Sequence, residues 1–165
     1  MIIAVIGEST ASSENAILAE EVGRLLAKAN VTIVCGGQGG VMKSVCKGAK
    51  ESGGTTIGIL PGLDPLDSNE YIDIPICTGL GNGRNLLVVR AGAAIIAIGG
   101  AYGTLSEIGL ALSESKPVIG LNTWSLLREE KIDCGIIVAD SPEKAIEIAI
   151  SQASENEGRP YNDNN

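Results

Sequence analysis

The chain has 165 residues, a net charge of −8 and 22 glycines, and it contains no Phe, one Trp and three Tyr. This length suits a single domain with a full hydrophobic core. The acidic charge and the scarcity of aromatic residues argue against general nucleic-acid binding, which needs a basic surface and aromatic platforms for bases. The many glycines and aliphatic residues favour an α/β architecture over an aromatic-rich β-sandwich.

Histidine is absent, which excludes Ser-His-Asp and Cys-His catalysis and most zinc enzymes. Any chemistry must come from carboxylates, Arg, Lys, Cys, hydroxyls or backbone dipoles, and we predict no metal site. No signal peptide precedes the first strand and no apolar run reaches the length of a membrane span, so we expect a cytoplasmic protein without membrane contact. In that setting the cysteines are interpreted as reduced thiols (Cys35, Cys46, Cys77 and Cys134).

Apolar runs and amphipathic segments alternate along the first part of the chain. Residues 2–6 predict a buried strand, and residues 15–28 predict a helix whose apolar side chains recur at helical spacing. Residues 31–35 predict a second strand, which runs into a glycine turn at 36–40 and then into another helix. A third strand is predicted at 55–60.

The middle of the chain begins with a loop rich in Asp, Pro, Ser and Asn. A short strand is predicted at 71–76, and Pro75 either breaks it or places it near an edge of the sheet, because proline cannot donate to a strand ladder. A glycine loop at 78–83 then precedes a helix that is expected to start near Arg84.

The last part of the chain predicts strands at 117–120 and 136–138. Ser141 is a favourable N-cap for the final helix, with a proline at the first helical position. Residues 1–152 are therefore expected to form one domain, and the polar residues 153–165 are expected to form a disordered tail.

The stretch from Ala94 to Glu107 carries the strongest functional signal. Its five apolar residues at 94–98 predict a strand buried on both faces, as in a parallel sheet. The glycine turn after them leaves room for a ligand to approach the main chain, and the next helix directs its free N–H groups and positive dipole end into that space. This combination is typical of an anion site, most often for phosphate.

Several residues near this turn allow two interpretations. Thr104 and Glu107 have the spacing of a capping box, so Glu107 is either a helix cap or a residue of the site. Tyr102 either stacks on a base or covers the turn. Ser9 and Thr10, after the first strand, either contact the ligand or cap a turn.

The alternation of strands and helices predicts a doubly wound, Rossmann-like fold with a largely parallel sheet flanked by helices. Ligands of such folds bind beyond the carboxyl ends of the strands, so the loops at 7–13, 36–40 and 99–104 are expected to converge. Neither a G-x-G-x-x-G after the first strand nor a P-loop motif is present, which disfavours NAD-type and P-loop sites. The candidate phosphate- and ligand-binding residues are Gly7, Ser9, Thr10, Gly36, Gly37, Gly39, Gly40, Asn82, Gly99, Gly100, Ala101, Tyr102, Gly103 and Thr104.

Residues 99–107 resemble the P-G-G-x-G-T-x-x-E motif of the Lonely Guy family, whose members were long labelled possible lysine decarboxylases. Residues 34–42 are similar to the family's second-strand turn, Y-G-G-G-x-x-G-L-M, and residues 57–61 to its third strand. Arg84 falls where the family carries the arginine of its R-K-x-x-M segment. The resemblance covers residues 1–140.

This resemblance implies a Rossmann-like homo-oligomer, a dimer or a tetramer, that releases the base from nucleoside 5′-monophosphates and leaves ribose 5-phosphate. It also implies that Glu107 and Arg84 are the catalytic pair and that the turn from Gly100 to Thr104 holds the phosphate. The chemistry is reasonable, because a carboxylate can stabilise an oxocarbenium-like ribose and an arginine can hold a phosphate through its fork of donors. No cofactor is required.

Four departures from the family motifs bear on the activity. Gly99 stands where the motif has Pro, Ala101 where it has its second Gly, and Asn85 where the Lys follows the arginine. Val88 or Val89 takes the place of the Met. These features resemble a neighbouring branch that includes the molybdenum-cofactor carrier proteins, in which a phosphorylated ligand can be bound without turnover. Two hypotheses remain: a phosphoribohydrolase for nucleoside 5′-monophosphates, and a non-catalytic protein that binds or carries a nucleotide or a molybdopterin-type ligand.

Overall fold

The computed structural model describes residues 1–156. Short 3₁₀ turns at Pro65–Asp67 and Gly81–Arg84 interrupt the alternation of strands and helices. The elements are, in chain order, β1 (Ile2–Gly7), α1 (Ser13–Lys28), β2 (Thr32–Cys35), α2 (Val41–Glu51), β3 (Thr56–Leu60), β4 (Ile74–Cys77), α3 (Asn85–Ala91), β5 (Ala94–Ile98), α4 (Tyr102–Ser113), β6 (Val118–Leu121), β7 (Leu127–Arg128), β8 (Lys131–Ile132), β9 (Ile136–Ala139) and α5 (Pro142–Asn156).

Seven strands form one parallel sheet in the order β4-β3-β2-β1-β5-β6-β9, and β7 and β8 form a small antiparallel hairpin outside it. The chain winds outward from β1 in one direction and then returns to β5, which pairs with the other side of β1. The doubly wound, Rossmann-like fold expected from the sequence is therefore confirmed. Its topological switch point lies between β1 and β5, where ligands of such folds bind.

The buried strands supply both faces of the sheet with core residues. Every residue of β5 is fully buried; Ile96 and Ile98 pack with the core of one face, whereas Ile95 and Ala97 pack with the core of the other. Since successive side chains of a strand point to opposite faces, a strand covered on both sides needs a continuous apolar run.

Two glycines allow α1 and α2 to pack closely on one face of this sheet. A Cβ on Gly48 would overlap the backbone carbonyl of Glu20 in α1, and a Cβ on Gly23 would overlap the carbonyl of Val45 in α2. The absence of a side chain at these two positions therefore lets the two helix backbones approach each other closely.

The edge position of β4 is confirmed, although the strand spans Ile74–Cys77 and begins later than expected. Asp73 does not join the ladder through its backbone alone, because its carboxylate accepts a hydrogen bond from the Thr56 backbone N–H at 2.9 Å. This side-chain contact lies at the first residue of β3, and the pairing of β3 with β4 begins one residue further, at Ile57 and Ile74.

The final helix begins as expected, since the Ser141 hydroxyl accepts a hydrogen bond from the Lys144 backbone N–H at 3.2 Å. It ends later than expected: α5 continues to Asn156, and Ala153 is buried against the core. The boundary expected at residue 153 is therefore too early, and residues 157–165 of the expected tail lie outside the described residues. Within residues 1–156, no helix is both long enough and apolar enough to cross a membrane.

Candidate anion-binding site

A cavity of about 210 Å³ opens at the carboxyl ends of β1, β2 and β5. The loops after these three strands converge there, together with the 3₁₀ turn that precedes α3. The polar and glycine residues that line it are Gly7, Glu8, Ser9, Gly36, Gln38, Asn82, Arg84, Asn85, Gly103, Thr104 and Glu107, with Ala101 at the start of α4. Gln38 was not among the residues singled out from the sequence.

The N-terminus of α4 is the first anion-binding element of this cavity. Its N-cap is Ala101, which is extended and offers no side-chain hydrogen bond. The backbone N–H groups of Tyr102, Gly103 and Thr104 therefore have no acceptor within the helix or from a capping side chain. Together with the positive end of the helix dipole, they favour an anion in the cavity.

The capping-box interpretation of Thr104 and Glu107 is wrong. Because α4 begins at Tyr102, Thr104 is the third residue of the helix and Glu107 lies in its second turn. Glu107 is 6% exposed and lines the cavity, so its carboxyl group faces the site. The sequence pattern placed the helix start too late.

Arg84 and Glu107 are the two buried ionisable residues of the site. Arg84 is 8% exposed, and its Nε is buried without a hydrogen-bond partner among the described residues. Burial raises the pKa of Glu107 to about 7, and the positive charge of Arg84 opposes that rise. Burial lowers the pKa of Arg84, although an arginine remains charged in proteins. The cavity thus holds a permanent cation beside a carboxyl group that titrates near neutral pH.

The glycine turn after β2 makes room for this arginine. A Cβ on Gly36 would lie 2.6 Å from the Arg84 Cζ, within the space that the guanidinium occupies. Gly37 and Gly40 have positive φ angles of 73° and 59°, which shape the turn. Gly39 and Gly40 pack against the backbone of the loop after β1, so they position that loop and do not line the cavity.

Glu8 is a site residue that the sequence analysis missed. Its carboxylate accepts hydrogen bonds from Asn15 Nδ2 at 2.9 Å, the Gly100 backbone N–H at 3.3 Å and the Ser12 backbone N–H at 3.4 Å. The Asn15 bond, aided by the two backbone donors, lowers the pKa of Glu8, although partial burial opposes the change. The Gly100 N–H, expected to hold a phosphate, is therefore already bonded to a carboxylate. The sequence feature that could have identified Glu8 is its position as an acidic residue directly after the first predicted strand, in a loop expected to reach the site.

The remaining candidates from the sequence are divided between the cavity and its surroundings. Ser9 and Asn82 line the cavity, whereas Thr10 is exposed and lines neither this cavity nor the one described next. Tyr102 is 81% exposed, and its ring packs on that of Trp124 with 5.8 Å between centroids. Gly99 and Gly100 line a second, more open cavity on the other side of the turn. Across residues 1–156, His, Cys, Asp and Glu form no group of three or more that could hold a metal ion.

The fold and the cavity define a Rossmann-like α/β protein with a candidate anion-binding site at the switch point of its parallel sheet. The chain belongs to the SLOG cluster4 family, whose model matches residues 1–146. It is 39% identical over 153 residues to an uncharacterized protein from Archaeoglobus fulgidus, an alignment that covers 93% of this chain and 97% of that protein.

Two similar solved structures are molybdenum-cofactor proteins. The molybdenum cofactor binding protein of the phototrophic bacterium Rippkaea orientalis is 38% identical, with a TM-score of 0.83 and coverage of 91% of this chain and 95% of that one. The molybdenum cofactor carrier protein of Chlamydomonas reinhardtii is 34% identical, with a TM-score of 0.82 and coverage of 93% and 98%. The expected similarity to the carrier-protein branch is confirmed, and the phosphoribohydrolase activity stays a prediction.

Proposed function

We propose that this protein binds a phosphorylated pterin of the molybdopterin type in the cavity between β1 and β5 and carries it without hydrolysis. The observation that carries this proposal is the meeting of the Arg84 guanidinium and the uncapped N-terminus of α4 in one concave cavity. Both are strong ligands for a phosphate group. The similarity to molybdenum-cofactor binding and carrier proteins supports the choice of ligand class.

Local charge explains how an acidic protein accepts an anion here. The chain has a net charge of −8, so a phosphate needs cationic groups close by. Arg84 and the α4 dipole provide them, and Glu107 is partly neutral near its pKa of about 7. A bound anion favours the protonated form of Glu107, which can then donate a hydrogen bond. For a ligand of fixed charge, binding is therefore expected to be tighter at pH 6 than at pH 8.

The test compares molybdopterin binding by the native protein, Arg84→Gln and Arg128→Gln. Arg128 is the matched control, because it is a highly exposed arginine on the β7–β8 hairpin and lines neither cavity. Binding is measured by co-elution of the pterin with the protein in gel filtration and by calorimetry with inorganic phosphate. We expect Arg84→Gln to lose at least about tenfold in affinity for both probes. Native affinity in Arg84→Gln, or an equal loss in Arg128→Gln, would count against the proposed site.

Glu107 favours a second candidate function. A buried carboxyl group with a pKa of about 7 in a cavity is a suitable general acid or base, as hydrolysis of an N-glycosidic bond requires. Incubation with a panel of nucleoside 5′-monophosphates, followed by chromatography, separates the two functions. Under the carrier proposal no free base forms. Release of base and ribose 5-phosphate by the native protein, lost in Glu107→Gln, would replace the carrier proposal with the hydrolase.

Exposed apolar side chains beside the edge strand β4 support assembly into a dimer or a tetramer. They lie on β4, in the 3₁₀ turn before it and in the adjoining loops (Leu63, Leu66, Ile74, Ile76 and Leu80). Such a group of apolar side chains is typical of a protein–protein contact. Light scattering of the native protein and of Leu66→Lys tests this, and a monomeric native mass would contradict it.

A further inference from the structure

The second cavity, of about 480 Å³, adjoins the first at the turn after β5. Glu8 lines both cavities. The other residues around the second cavity are Asn15, Gly99, Gly100, Asn122, Thr123, Trp124 and Ser125. The proposed phosphate site uses none of their side chains, although the volume is in the range of small-molecule sites.

The two cavities differ in electrostatic character. Glu8 lines both cavities, but only the first also contains Arg84 and the N-terminus of α4, whereas the second has no arginine or lysine among its lining residues. Three N–H donors hold Glu8 in its ionised form. An anion is therefore attracted to the first cavity and repelled from the second. A ligand that spans both has its phosphate in the first and an uncharged or cationic part in the second.

The second cavity offers hydrogen-bond acceptors on Glu8 and Asn122. Asn122 Nδ2 donates to Asn15 Oδ1 at 2.7 Å, and Asn15 Nδ2 donates to Glu8 Oε1 at 2.9 Å. Each of these amides uses one of its two N–H donors within the protein, and the Asn122 carbonyl oxygen and the remaining carboxylate lone pairs stay available as acceptors. A ligand that brings N–H donors is complementary to these acceptors.

Trp124 gives this cavity an aromatic wall. Its ring packs against that of Tyr102, and its indole Nε1 is buried without an acceptor among the described residues. Because this N–H is buried, Trp124 contributes ring surface to the cavity and no accessible donor. Aromatic faces pack well against flat rings.

We propose that the second cavity is a subsite for a flat, amino-substituted heterocycle, bound through the Glu8 and Asn122 acceptors beside Trp124. The chemistry fits the 2-amino-4-oxopyrimidine edge that pterins and guanine share. The position of the ligand's phosphate in the first cavity rests on the proposed function, whereas the ring subsite can be tested alone. Glu8, which lines both cavities, then sets the orientation of a ligand that has a ring at one end and a phosphate at the other.

The chain has one tryptophan, which makes the subsite directly observable. In protein labelled with ¹⁵N-tryptophan, the spectrum contains a single indole N–H signal, that of Trp124. We expect 6-hydroxymethylpterin, which carries no phosphate, to shift this signal in a saturable manner, and inorganic phosphate to leave it in place. Guanosine is the second ring probe. The probe that binds with the higher affinity shows whether the subsite prefers a pterin or a guanine ring.

Two variants locate the binding. Glu8→Gln is expected to weaken pterin binding about tenfold or more, because a hydrogen bond to a charged acceptor is lost. The same variant is expected to strengthen phosphate binding, because a negative charge at the first cavity is removed. These opposite signs would not arise from general misfolding. Ser125 is an exposed residue that lines the second cavity, and Ser125→Leu is expected to prevent pterin binding by filling that cavity. This variant tests the ring subsite if Glu8→Gln does not fold.

The outcomes separate this inference from the proposed function. An indole signal that neither ring probe shifts, or native pterin affinity in both variants, would overturn the ring subsite even where phosphate binds through Arg84. Pterin binding that shifts the signal in a protein with no affinity for phosphate would overturn the proposed phosphate site and leave the ring subsite standing.

Discussion

The guanidinium of Arg84 lies directly against the Cα of Gly36, in the space that a side chain at position 36 would fill. Gly36 follows β2, and Arg84 ends the 3₁₀ turn before α3, so two distant loops meet at this contact. The guanidinium can be buried there because Gly36 has no side chain to occupy the same space. The position of the cation in the first cavity therefore depends on a residue that carries no charge.

Gly36→Ala is expected to displace Arg84 and to weaken phosphate binding about tenfold or more. The new Cβ meets the far end of a flexible side chain, so the guanidinium can move while the backbone stays in place. The fold is therefore expected to survive. Calorimetry with inorganic phosphate measures the affinity, and thermal unfolding checks the fold.

Gly109→Ala is the matched control for this substitution. Gly109 is exposed on α4, and a Cβ there has no neighbour within 4 Å. Alanine at this position is expected to leave phosphate affinity unchanged and to stabilise the helix by about 0.5–1 kcal/mol. If Gly36→Ala bound phosphate as tightly as Gly109→Ala, Arg84 in its present position would not be the phosphate ligand.

The contact between α1 and α2 predicts a different kind of effect at another glycine. In Gly48→Ala the Cβ would overlap the backbone carbonyl of Glu20, which cannot turn aside as a side chain can. The helices must separate, and we expect a loss of at least about 2 kcal/mol in the free energy of unfolding. Urea denaturation measures it. A loss below about 0.5 kcal/mol would show that the two helices have room for a side chain at this contact.

The strands and the glycine turns were predictable because their signals are local. A continuous apolar run such as 94–98 indicates a strand covered on both faces, and Pro75 indicates an edge. The convergence of the loops at 7–13, 36–40 and 99–104 was predictable from the order of strands and helices. Local patterns also misled: the spacing of Thr104 and Glu107 suits a cap, and nothing nearby reveals that α4 starts at Tyr102.

The contacts that define the site were not predictable in the same way. Glu8 and Gly100 are 92 residues apart in sequence, and only the pairing of β1 with β5 brings them together. The contact between Gly36 and Arg84 likewise depends on the tertiary structure. The sequence alone showed which residue types were available for an anion site, whereas the division into two cavities of unlike charge depends on the side-chain positions.

The cysteines predict a simple pattern of thiol reactivity. Cys134 is exposed, Cys77 is partly buried, and Cys35 and Cys46 are buried with their sulfur atoms 3.6 Å apart. We expect a disulfide reagent to modify Cys134 first, and Cys35 and Cys46 only through unfolding, at least about a thousandfold more slowly. Cys134→Ser removes the fast phase and is the control. Rapid modification of all four thiols in the folded protein would contradict this arrangement.

Glu107 is expected to make the stability depend on pH in a direction opposite to most carboxylates. Burial raises its pKa from 4.5 to about 7, so the folded protein holds this proton more tightly than the unfolded chain. Between these two values the folded state binds more protons, and the free energy of unfolding falls as the pH rises. The contribution is fully present below pH 4.5 and is lost as the pH passes 7, a change of about 3 kcal/mol.

Glu107→Gln removes this titration, so the difference in stability between the native protein and the variant should change by about 3 kcal/mol between pH 4.5 and pH 8, in favour of the variant at the higher pH. Urea denaturation at a series of pH values measures the difference. Glu147→Gln, an exposed position on α5, is the control and should follow the native protein. Parallel curves for the native protein and Glu107→Gln would show that Glu107 titrates as an ordinary carboxylate.

Arg84→Gln is expected to move the loss of stability to higher pH. The positive charge of Arg84 opposes the effect of burial on Glu107, so without it the pKa of Glu107 rises further.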